Sequence, residues 1–422
     1  MISDRAFASD FENEVRSAYR QIKNRDIAQA NLFDSDLQRI EELLVSFKPF
    51  PSGYKFENDF LIGAVDGSGM APVVQYEDVF LYLITVGLTV HNTGTNDGRI
   101  MELKELRNQG YIPDGGRLTV AFWSSFDEDV LWQNFVDYVK RVYLINDLNN
   151  LLVPYFIDYT KGKLDSVDKI LRKYGKSDIS DFVISPPVHL PERILDMLRW
   201  SAEISMAKRA LDSNLNLKYV ILDTTLTLLF PARYDYPHLL HDYMLRDLCF
   251  RARKEGVIVM ALSKSHTIPG GEKIIQLARR KYGPDAHWFC RIPGNDDPGG
   301  KLKICRKRRI PPELGVTYLF SFTSSMPAFR VDFDRRWWES KIYDNNAEKM
   351  RMNEINIFRE IDFMSHDARW YGYPCPPAFA HLSCSLTRED RDLFYERVIE
   401  IGKEEGFSEE SLLNPRRRIG LE

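Results

Sequence analysis

The stretch FLIGAVDGS at residues 60–68 constrains the fold more than any other part of the chain. Phe60, Leu61, Ile62, Ala64 and Val65 leave no position to turn towards water, which suits a strand covered on both faces at the centre of a sheet. The run ends on Asp66, and the reading stops the strand there. Gly67 then allows close backbone approach, and Ser68 has a hydroxyl to bond its neighbours. A carboxylate at the rim of a sheet in this setting is one way to hold a divalent cation. An Asp-Gly turn closing a strand is the plainer alternative.

Around this strand the hydrophobic pattern predicts a mixed α/β order. Residues 7–47 read as a leading helical segment, with Phe11, Val15, Tyr19 and Ile22 at spacings of three and four, and Leu37, Ile40, Leu43 and Leu44 continuing the stripe. Pro49, Pro51 and Gly53 close it. Further strands are predicted at 79–90 and 118–123; three strands in succession without long helices between them point to an antiparallel meander. Residues 127–212 turn helical, with Pro191 opening a long helix. Residues 219–222 then give a second apolar strand ending on an aspartate, Asp223. A helix at 239–254 and a strand at 257–262, running into Ser263 and Lys264, continue the alternation.

Residues 269–312 read as the least regular part and as a mobile element carrying the basic run at 301–309. Strands at 316–322 and 329–333, a charged helix near 345–363 and a helix from about Ala378 complete the chain. The expected division is an N-terminal helical segment (1–54), the first part of a core (55–126), a helical insertion (127–190), the second part of the core (191–400) and a polar tail (401–422).

Composition narrows the class. The chain has 422 residues, 44% apolar and 28% charged, a balance that argues against disorder and against a membrane bundle. Its formal net charge of −4 means that any nucleic-acid contact must come from local basic patches. Five cysteines without a CxxC pair or zinc-ligand spacing predict reduced thiols and no structural zinc. With a charged amino terminus lacking an apolar signal core, the expectation is a cytoplasmic protein without membrane contact.

Four positions form a candidate constellation: Asp66 and Asp223 at strand ends, Glu203 within a helix, and His381 near the start of a late helix. Asp, Glu, Asp in the order strand, helix, strand, after a meander, is the arrangement of RNase H-like nucleases. Clustered carboxylates there hold the cations that phosphodiester hydrolysis needs.

The segments AVDGSG at 64–69, SAEISMAKRAL at 201–211, YVILDTTL at 219–226, ALSKS at 261–265 and YGYPCPPAFAH at 371–381 resemble the successive motifs of the NurA nuclease family. The resemblance spans residues 55–400. It implies an RNase H-like core with a mixed sheet, a helical N-terminal segment and helical insertions, in a DNA nuclease using Mn2+ or Mg2+. Carried over residue by residue, it assigns Asp66, Glu203 and Asp223 to metal binding, His381 to a further ligand or to orienting the attacking water, and Lys264 to the scissile phosphate. It also implies 5′ to 3′ exonuclease action, endonuclease action on single strands, a homodimer, and a HerA-like hexameric ATPase partner in DNA end processing or anti-phage defence. One departure stands out. Thr224 and Thr225 follow Asp223 where the family has glycine and serine, which keeps open a DNA-binding adaptor subunit that has lost the chemistry.

Overall fold

The apolar run before Asp66 does form a central strand. A computed structural model describes residues 11–76, 78–94, 100–104, 116–183, 191–213, 215–226, 240–264, 268, 270–303, 313–323, 328–370 and 372–412. Helix α1 (Phe11–Leu43) leads into β1 (Leu44–Phe47). The meander follows as β2 (Leu61–Tyr76), β3 (Val79–Asn92), a short β4 (Met101–Glu102) and β5 (Arg117–Ser125). Helices α2 (Glu128–Tyr143), α3 (Leu152–Thr160), α4 (Val167–Tyr174) and α5 (Pro191–Asp212) come next. The second half alternates: β6 (Leu217–Leu222), α6 (Leu240–Lys254), β7 (Ile258–Ser263), α7 (Gly271–Tyr282) and β8 (His287–Ile292). The chain then continues through β9 (Gly315–Ser321), β10 (Phe329–Asp334), α8 (Arg335–Lys341), α9 (Ala347–Phe363), α10 (Cys375–Cys384), α11 (Arg388–Glu404) and α12 (Glu409–Leu412).

The ten strands among the described residues join one sheet in the order β1-β8-β9-β10-β7-β6-β2-β3-β4, with β5 also on β3. β2, β3 and β5 pair antiparallel, as the meander predicts. β6 lies parallel to β2, and β7 parallel to β6. A meander whose first strand is followed on its other side by two successive parallel strands, β6 and β7, is the mixed-sheet order expected of an RNase H-like core. Beyond β7 the sheet is extended by the antiparallel strands β10, β9, β8 and β1.

The two-residue period of the central strands explains why both faces are covered. Val65, Val220, Leu222 and Val259 pack into a core with Leu198 and Ala202 of α5 and Leu248 of α6. Their neighbours Ile62, Ala64, Tyr219, Ile221 and Met260 point the other way, to Phe358 and Ile361 of α9 and Ala378 and Ala380 of α10. On the first face, α2 is capped by Asp127, whose carboxylate accepts hydrogen bonds from the amides of Asp129 and Val130, and its last turn carries Lys140 and Arg141.

Three expectations need correction. Residues 44–47 are strand rather than helix, because Leu44 to Phe47 pair with β8 and so tie the N-terminal segment into the sheet. β2 does not stop at Asp66: it continues through Asp66↔Gly87 to Tyr76↔Val79 against β3, although its parallel pairing with β6 ends at Val65↔Leu222. Residues 269–312 are not irregular throughout, since they hold α7 and β8, whose Ile274, Ile275, Trp288 and Cys290 build a third core with Ile40 and Leu44. Helix α3 falls within the stretch expected to be helical, and Pro154 lies in its first turn, where a missing N–H costs little. Most of the basic run at 301–309, and Arg416 to Arg418 in the tail, lie outside the described residues. Cys249, Cys290, Cys375 and Cys384 are free and buried. No helix among the described residues is long and apolar enough to cross a membrane.

The face under α9 depends on aromatic packing. Phe358 is 1% exposed and stacks on Phe289 with ring centroids 4.1 Å apart, with Tyr318, Phe320 and Phe333 around it. Phe358→Ala is expected to cost about 3–5 kcal/mol in urea unfolding; a loss below ~1 kcal/mol would show that this contact is not part of a tightly packed core.

Candidate active site

β2 and β6 run in register as far as Val65↔Leu222. The next residue on each is an aspartate, Asp66 and Asp223. There β6 ends and β2 goes on with β3 alone, so the two carboxylates flank a crevice outside the carboxyl end of β6. In α/β sheets such crevices are where ligands bind.

Two glycines let helices close on this point. Gly67 carries no side chain, and the carboxylate of Glu203 fills the space: a Cβ there would lie 2.6 Å from Glu203 Oε1. Glu203 comes from α5, which crosses the sheet on that face, and is 2% exposed. Gly87, the register partner of Asp66, is bare on the other face, where a Cβ would meet Ser383 Oγ and the Ala380 carbonyl of α10. α10 is stitched down by Thr85 Oγ1, which donates to the Cys384 carbonyl at 2.9 Å, and by Thr89 Oγ1, which donates to that of Pro376.

That docking brings His381 to Asp66. His381 Nδ1 lies 2.7 Å from Asp66 Oδ2, and the Gly67 amide donates to Asp66 Oδ1 at 2.7 Å. With a carboxylate as the acceptor, Nδ1 is the donor of this contact, and the His381 ring is half exposed. Lys264, just beyond β7, places Nζ 3.0 Å from Asp223 Oδ2 and 5.7 Å from the centre of the Tyr373 ring. Arg199 Nε stands 3.7 Å from Glu203 Oε1.

The electrostatics are those of crowded acids. Burial pushes the Glu203 carboxyl well above its usual range; Arg199 opposes the shift, and Asp66 and Asp223 add to it. Asp223 is raised by burial and by Asp66, against Lys264 and His381. The five predicted residues are thus brought together as contacts and charge couplings around one crevice. In this arrangement no three His, Cys, Asp or Glu side chains among the described residues are placed to hold one metal ion. The cause is visible in the pairing: His381 and Lys264 occupy Asp66 and Asp223, and Glu203 approaches across the opposite face at Gly67. The donor types, three carboxylates and an imidazole, nevertheless suit a hard divalent cation, and one bound there would relieve the repulsion that raises Glu203 and Asp223.

Sequence reasoning passed over Tyr373. It is 5% exposed, its hydroxyl has no hydrogen-bond partner among the described residues, and burial with the charges of Asp223 and Asp66 drives its pKa well above normal. Its only sequence signal is membership of the YGYPCPPAFAH segment. Trp337 and Trp338 lie in the core: both are buried, and Trp338 Nε1 donates to the Tyr318 hydroxyl.

No protein-family model and no curated protein matches the chain. Among solved structures it is similar to the NurA nuclease from Sulfolobus solfataricus, with TM-score 0.45 and 12% identity over 93% of this chain and 98% of that one. It is also similar to NurA bound to dAMP and manganese, with TM-score 0.37 and 11% identity over 94% and 98%. A third structure, NurA with manganese, gives TM-score 0.34 and 12% identity over 95% and 99%.

Because the folded pKa of Glu203 lies above its unfolded value, the stability it contributes is present in acid and lost as pH rises through the folded value. Glu203→Gln is therefore expected to stabilise the metal-free chain by ~1 kcal/mol or more at pH 8 and to have little effect at pH 4. Thermal melts in chelator across that range check this, and a variant less stable at pH 8 would contradict it.

Proposed function

We propose that this chain is a metal-dependent deoxyribonuclease that hydrolyses phosphodiester bonds. The observation that carries the reading is the pair Asp66 and Asp223 on adjacent parallel strands, with Glu203 buried against Gly67 between them in sequence. Asp66, Glu203 and Asp223 would hold Mn2+ or Mg2+, with His381 as a further ligand or as the group that orients water. Such a cation supplies positive charge at the phosphate and makes a water more acidic. Asp66 fixes the tautomer and direction of His381, leaving Nε2 to accept a proton from water. Lys264, released from Asp223, offers a cation to the phosphate oxygens. Arg279, Arg280 and Lys281, exposed in the last turn of α7, add local positive charge for backbone contact despite the net charge of −4.

The finer reading follows the sequence resemblance: a 5′ to 3′ exonuclease with endonuclease action on single strands, working as a cytoplasmic homodimer with a HerA-like hexameric ATPase in DNA end processing or anti-phage defence. The rival is a catalytically inactive DNA-binding adaptor of such an ATPase complex. It is favoured by the Lys264–Asp223 and His381–Asp66 pairs and by the threonines after Asp223.

Purified protein on linear DNA with Mn2+, Mg2+ or chelator separates the two. Metal-dependent cutting supports the nuclease, and none, with or without the ATPase, supports the adaptor. Asp66→Ala and Asp223→Ala should each lower cleavage by about 100-fold or more, beyond the effect typical of residues outside the ligand set, without unfolding the chain. Wild-type rates in either would move the site elsewhere. His381→Ala should slow turnover or change the metal preference; an unchanged rate and metal profile would remove it from the site.

A further inference from the structure

We propose that Asp332 of β10 is a positioning residue for Asp223, holding the main chain that carries that carboxylate at the crevice. The inference rests on the metal-dependent reading above.

Asp332 is fully buried and, among the described residues, accepts four hydrogen bonds. Arg330 Nε and Thr317 Oγ1 donate to Oδ1 at 2.9 and 2.8 Å, and Arg330 Nη2 donates to Oδ2 at 2.7 Å. The fourth donor is the backbone amide of Leu226, 2.8 Å from Oδ2. β6 ends at Leu222, so residues 223–226 have left the sheet, and their amides need other partners. Leu226 finds one in Asp332, while its side chain is buried in the core beneath α5. The segment bearing Asp223 is thus fixed by both a side chain and an amide three residues on.

The same ion pair reaches the other side of the crevice. Arg330 lies opposite Ser263, the residue before Lys264, in the β10–β7 ladder. β10 therefore touches the backbone next to Lys264 and, through Asp332, the backbone next to Asp223.

Energetics single this pair out. A buried Arg–Asp pair pays heavily in lost hydration, and well-packed apolar residues fold as well or better in such places. An apolar pair would leave the Leu226 amide without its acceptor, so the carboxylate does something that packing alone cannot.

The test uses the full chain and Mn2+ alone. The readouts are the Mn2+ concentration giving half-maximal thermal stabilisation and the hydrogen-exchange rate of the Leu226 amide. Asp332→Ala should raise the Mn2+ midpoint ~10-fold or more and speed Leu226 exchange at least as much. Should that variant fail to fold, Arg330→Met/Asp332→Ala removes both buried charges and is read in the same way. Thr317→Val deletes a bond to the same carboxylate without touching residues 223–226, and should lower stability while leaving the Mn2+ midpoint within about twofold of wild type. Unchanged Mn2+ response and Leu226 protection without Asp332, in a wild-type background that responds to Mn2+, would overturn this inference alone. A wild-type chain that does not respond to Mn2+ overturns the metal-dependent reading and this inference together.

Discussion

Like-charge crowding in a half-buried crevice is the constraint on which the site is built. Asp66 and Asp223 follow a matched pair of parallel positions, and Glu203 is pressed against the same stretch of backbone from the opposite face. Three carboxylates so arranged repel one another, and burial removes the water that would screen them. Each therefore has a cationic or hydrogen-bonding neighbour: His381 and the Gly67 amide for Asp66, Lys264 for Asp223, Arg199 for Glu203. These partners hold the metal-free crevice together, and they hold the same oxygens that a cation would use.

The surrounding fold makes such crowding possible by keeping the backbone rigid where the side chains are in conflict. β2 is clamped by β3 without a break from Leu61 to Met70 and again from Val74 to Tyr76, and by β6 up to the point where the aspartates begin. The helices bearing Glu203 and His381 approach on opposite faces, each over a glycine, so the distances are set by backbone packing rather than by long flexible side chains. A site assembled from regular elements holds its geometry better than one assembled from loops.

Much of this was legible from local pattern. The unbroken apolar runs ending at Asp66 and Asp223 identified two central strands, and the glycine after Asp66 signalled close approach. What periodicity could not show is pairing. It could not reveal that β2 keeps going with β3 after losing β6, because Gly67, Ser68 and Gly69 look like a turn in sequence and are a strand only through Val86, Thr85 and Ile84. Nor could it place residues 44–47, whose apolar spacing also fits the end of a helix and whose strand state comes from β8, more than two hundred residues away. Tyr373 was missed for a related reason: a phenol becomes notable only when its hydroxyl is known to be buried and unpaired beside two acids.

The pairing of acids with His381 and Lys264 also ties stability to ligation. A cation that binds the folded chain and not the unfolded one adds RT ln(1 + [L]/Kd), about 2.7 kcal/mol at a hundredfold excess over Kd. Against this stands the loss of the two ion pairs that the cation must displace, one half exposed at His381 and one nearly so at Lys264, where solvent screening keeps each pair weak. On the proposed reading, a cation bound there would displace these pairs at small cost and would leave an imidazole and an ammonium free to meet a phosphate. On that same reading, the two residues that neutralise the acids would be the groups left to face a substrate; both lie on the open side, while Glu203 is buried.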